Sequence, residues 1–75
     1  MNPSTLTINE GTQDQPAFSV LTVYADRVVR NTPPDRASLT QARALAAYVQ
    51  TVVGGDLLTT GQTVDEPTGE TLTAL

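Results

Sequence analysis

At 75 residues the chain has room for one small domain, and a domain of that size buries only about 60% of the surface its unfolded form exposes. It contains no Cys and no His, which excludes disulfides and leaves zinc without its preferred sulfur and nitrogen ligands. Four arginines (Arg27, Arg30, Arg36 and Arg43) against eight acids give a net charge of −4, a balance that disfavours a phosphate-neutralising surface.

In chain order, "STLTINEG" (4–11) alternates Leu6 and Ile8 with Thr5, Thr7 and Asn9, the period of a half-buried strand. "EGTQDQP" (10–16) supplies Gly, Asp and Pro for a turn. "AFSVLTVYADRVVR" (17–30) is β-branched and aromatic, with no Gly or Pro inside. As one strand it would span about 46 Å at ~3.3 Å per residue, so it is expected to be bent, bulged or frayed. Phe18, Val20 and Tyr24 lie on one side of it and Leu21, Val23 and Ala25 on the other. A strand apolar on both sides is expected to be sandwiched.

"NTPPD" (31–35) breaks the strand, because Pro33 and Pro34 cannot donate to a ladder. Two N-caps are compatible with the helical pattern beyond it: Thr32 with Asp35, which puts Pro33 at the first helical position, or Ser38 with Gln41. The helix is expected to start between 35 and 39. Ala42, Leu45, Ala46, Val49, Val52 and Val53 then recur at three- and four-residue steps as one stripe, and Gly54-Gly55 stops it. "DLL" (56–58) is a last apolar patch. Residues 59–75, "TTGQTVDEPTGETLTAL", are Thr-, Gly- and acid-rich and read as an extended or disordered tail, ordered by a partner.

The fold class is therefore α+β: an N-terminal β-hairpin or short antiparallel sheet, one amphipathic helix and a polar tail. Residues 1–58 form a strand–strand–helix assembly unit and 59–75 the tail. Two strands are a marginal floor for a helix, so the sheet is expected to be completed by a second chain. No run approaches the roughly 18 apolar residues of a membrane span, and "MNPSTLTINEG" has neither a basic nor an apolar leader region. A soluble chain with no export signal and no membrane partner is expected.

Without His or Cys the usual general bases and thiol nucleophiles are missing, so no enzyme is expected, and no cofactor or metal. Asp65-Glu66, the single adjacent acidic pair, reads as solvated turn acids rather than a catalytic or metal pair. Gly54-Gly55 ends a helix, whereas phosphate loops open one. In an uninterrupted strand Tyr24 and Arg30 share a face, a minimal stacking-and-phosphate platform for RNA, though Asp26 lies there too. The competing reading packs Tyr24 and leaves Arg30 a solvated strand end. A dimeric strand–helix DNA binder lacks the necessary charge.

The order strand, loop, long strand, Pro-rich turn, helix and polar end resembles the coat proteins of single-stranded RNA bacteriophages. "TLTINEGTQDQPAFSV" (5–20) is similar to their opening hairpin, and "VLTVYADRVVRNTPPDRASLTQARALAAYVQTVV" (20–53) to their last long strand and C-terminal helices. The resemblance implies interlocked homodimers that share one sheet, with an inner face able to bind an RNA hairpin. By that likeness Leu45, Val49, Val52 and Val53 are candidate oligomer-interface residues, and Tyr24 and Arg30 candidate RNA-facing ones. The expected function is a self-assembling structural protein of a phage virion, a capsid coat subunit being the form the resemblance implies. The alternative is a head-decoration or tail-connector adaptor that binds a larger virion protein through its tail.

Overall fold

The computed structural model describes residues 2–75 and shows an α+β fold with a four-stranded sheet, a separate two-stranded hairpin and one helix. Strand β1 (Ser4–Asn9) turns through the Gly11 loop into β2 (Phe18–Val23), antiparallel, with Leu6 opposite Leu21. The turn is held locally: the Asn9 side-chain oxygen accepts from the Gly11 and Ala17 amides, and Glu10 N–H donates to the Ala17 carbonyl at 2.9 Å.

The sequence predicts one strand over 17–30, and the structure divides it. The chain reverses over Tyr24–Arg27 and returns as β3 (Val28–Asn31), antiparallel to β2. Tyr24 N–H donates to the Arg27 carbonyl at 2.8 Å, the Arg27 guanidinium lies 4.2 Å from the Tyr24 ring centre, and it pairs with Asp26 at 3.0 Å. No non-glycine residue among those described has positive φ, so this reversal uses none of the left-handed turn residues that would have marked it.

Helix α1 (Leu39–Val53) follows the two prolines. Of the two possible caps, Ser38 is the one used, its hydroxyl accepting from the Gln41 amide at 3.2 Å. Gln41 does not close the capping box on Ser38; its side-chain oxygen accepts from Asp35 N–H at 3.0 Å and ties the Pro-rich turn to the helix start. At the other end Gly54 (φ 78°) closes a bond to the Gln50 carbonyl at 2.8 Å. Gly55 (φ 80°) is required twice, because a Cβ there would also sit 2.1 Å from the Pro3 carbonyl oxygen.

That approach delivers "DLL" to the sheet: β4 (Asp56–Leu57) pairs in parallel with β1, giving the order β3-β2-β1-β4. Strands β3 and β4 both run parallel to β1, so α1 is the crossover between the two edges and lies over β1 and β2. Phe18 and Val20 pack on this side against Ala42, Ala46 and Val49, with Leu39, Leu45 and Leu75 partly buried around them. The threonines of the same face are buried rather than solvated. Thr5 and Thr22 are cross-strand partners whose hydroxyls hydrogen-bond to each other at 3.1 Å, so neither is left unsatisfied.

The structure corrects two expectations. Residues 59–75 read as an extended or disordered tail, yet they carry β5 (Thr63–Asp65) and β6 (Thr71–Thr73), an antiparallel hairpin. The hairpin covers the sheet face opposite the helix, where Leu6, Leu21, Val23 and Ala74 form a second core joined by Val64 and Leu72. The sheet is expected to need a second chain to give the helix a floor, and four strands of the same chain supply it instead. Its accessible surface, 4570 Å², is close to the roughly 4400 Å² expected for a monomer of this size. No helix is long and apolar enough to cross a membrane among the described residues.

Candidate interaction surface

Backbone hydrogen bonding shows which edge of the sheet is open. Along β1, the outward carbonyls of Pro3, Thr5 and Thr7 accept from Asp56, Leu58 and Leu75 at 2.9–3.0 Å, so that edge is covered from Pro3 to Thr7. On the other side, Tyr24 bonds to Arg27, and the alternation of an antiparallel ladder turns Val29 and Asn31 toward β2 as well. The N–H and C=O groups of Val28 and Arg30 therefore point away from the sheet, with no strand beyond them.

The helix leaves this side bare. At 100° per residue Arg43 and Gln50 fall on one flank of α1 and Leu45, Tyr48 and Val52 on the other. Gln50 Nε2 donates to the Gly55 carbonyl at 2.8 Å, which fixes its flank toward β4. The Leu45–Tyr48–Val52 flank faces β3, where Val29 occupies the helix side of the sheet opposite Thr22. Tyr48 and Val52 are 67% and 66% exposed and Val29 is 39%, so exposed apolar side chains lie on the helix flank and on the strand of the open edge.

The four expected interface residues consequently divide. Val49 is buried against the chain's own sheet and Leu45 is half-buried beside it, while Val52 is 66% exposed and Val53, on the core-facing line at the helix end, is 37% exposed. Tyr48 and Val29 carry no signal in the sequence. Tyr48 lies beside the stripe, next to Val52, outside the three- and four-residue pattern, and Val29 lies inside what reads as one long strand.

Tyr24 and Arg30 are not brought together. Folding back at Tyr24–Arg27 places Arg30 opposite Leu21, on the hairpin side, while Tyr24 belongs to the turn and stacks with Arg27. Arg30 is tied to Glu10, its Nη2 donating to Oε2 at 2.5 Å. Ser19 donates to Glu10 Oε1 at 2.5 Å, and Arg36 lies 3.6 Å from the same oxygen. The Ser19 hydrogen bond, followed by the two arginines and opposed by partial burial, holds the Glu10 carboxyl below its ordinary value of 4.5.

A folded-state value below the unfolded one means that Glu10 stabilises the fold at pH above about 4.5, and that this contribution fades as pH falls through the lower folded value. Glu10→Gln is therefore expected to lower thermal stability at pH 7, with the difference from wild type closing toward pH 3. Thermal melts across that range check it; an equal difference at every pH would show that the carboxylate charge is not what matters.

Among the described residues no three His, Cys, Asp or Glu side chains converge on a metal-sized site. No protein-family model, curated protein or solved structure matches the chain.

Proposed function

We propose that this protein is a small structural subunit that associates with copies of itself through the β3 edge, in the setting of a phage particle. The carrying observation is the conjunction of outward-facing Val28 and Arg30 backbone groups with the exposed Val29, Tyr48 and Val52 side chains. The virion setting rests on the likeness of residues 5–20 and 20–53 to single-stranded RNA phage coat proteins. Support for protein rather than RNA as the partner comes from charge: Arg27, Arg30 and Arg36 each pair with a carboxylate of the same chain.

A two-fold axis normal to the sheet would pair β3 with a second β3 and keep both helices on one side. Directly opposed residues share a face, which leaves two central registers. Centring on Arg30 opposes two like charges and is disfavoured. Centring on Val29 pairs each Val28 with the other chain's Arg30 in two hydrogen-bonded rings, so the two arginines are diagonal rather than directly opposed. The Leu45–Tyr48–Val52 flanks then face each other across the axis. Sedimentation velocity from micromolar to millimolar concentration tests this, with a concentration-dependent shift to dimer or larger expected. A monomer throughout would overturn it.

A further inference from the structure

Independently of self-association, the β4 flank of the helix carries a second concavity. A groove of about 370 Å³ opens between α1 and the segment Leu57–Thr60, lined by Ala46, Leu57, Leu58 and Leu75, with Thr7, Thr59, Thr60 and Arg43 along it. Its volume is in the range of small-molecule sites, which are mostly apolar with a few fixed polar groups. Arg43 is the one arginine among the described residues with no carboxylate within 4.0 Å. The walls call for an alkyl body, and the unpaired guanidinium calls for an anion whose two oxygens match its fork.

We propose that this groove binds a medium-chain alkyl carboxylate, with the alkyl chain along Leu57, Leu58 and Leu75 and the carboxylate on Arg43. Octanoate is the probe, used below its micellar concentration and followed by amide chemical shifts in the full-length chain. Saturable shifts are expected at Thr7, Ala46, Leu57–Thr60 and Leu75. Octanoate is expected to bind on the order of tenfold tighter than octanol, the strength of one charge-assisted contact, and octylammonium weaker still. Arg43 is exposed, so Arg43→Gln leaves the core intact and is expected to erase the difference between octanoate and octanol. Arg43→Lys, which keeps the charge without the fork, is expected to restore part of it. The proposal is overturned by octanol binding as tightly as octanoate, by unchanged octanoate affinity in Arg43→Gln, or by shifts that map to Tyr48 and Val52 instead.

Discussion

Replacing Val29 with lysine is expected to leave the fold standing and abolish association. Val29 is 39% exposed and its backbone bonds face β2, so the monomer should lose no more than about 0.5 kcal/mol, as at other surface positions. In the register centred on Val29 the two lysines would meet across the axis. Two like charges about 5 Å apart near a protein surface repel by roughly 3 kcal/mol, which weakens a dimer on the order of a hundredfold. Val29→Glu should do the same alone, and an equimolar mixture of the two variants should associate again. Sedimentation equilibrium reads all three. If wild type associates and Val29→Lys associates equally well, the contact lies elsewhere and association through the β3 edge is overturned.

Removing residues 59–75 is expected to cost the chain its cooperative fold. The hairpin covers Leu6, Leu21 and Val23, none more than 5% exposed, and uncovering such side chains forfeits about 1.5–3 kcal/mol each. The sum is comparable with the 5–15 kcal/mol that holds most domains together. The truncation also strips Leu75 from Thr7, reopening the far edge of β1. Thermal unfolding followed by circular dichroism decides the matter. A truncated chain that melts as one transition within about 2 kcal/mol of wild type would make the hairpin an appendage.

Much of the α+β frame is legible in the residues, for reasons that can be assigned. Ser38 and Gln41 mark the helix start and Gly54-Gly55 its end because caps are local chemistry, readable within four residues. The apolar residues on both faces of 18–23 announce a strand covered twice, and the helix and the hairpin are those two covers. The hidden features depend on contacts distant in sequence. The reversal at Tyr24–Arg27 uses an aromatic stack and an ion pair in place of Gly or Pro, so no punctuation shows. Thr5 reads as the polar side of a half-buried strand, whereas its hydroxyl and that of Thr22, 17 residues away, satisfy each other under the helix. In 59–75 only Val64 and Leu72 break the polar run within the two strands, too little apolar signal to forecast that Ala74 would be 2% exposed.

The interaction surface is the least readable part. An open edge is a property of the whole strand order, and Val29 acquires its position only once β3 is recognised as a separate, outermost strand. The pair Tyr24 and Arg30 fails to assemble for the same cause: one unmarked reversal exchanges the side on which every later residue of the segment lies.

Strand β1, near the start of the chain, is flanked on one side by β2 and on the other by segments from the far end, Asp56–Leu58 and Leu75. During translation β1 therefore stays half-finished until Asp56–Leu58 and then Leu75 have been made. Such long-separation closures slow folding, and the interval leaves a Thr- and Leu-bearing template exposed to neighbouring copies during synthesis.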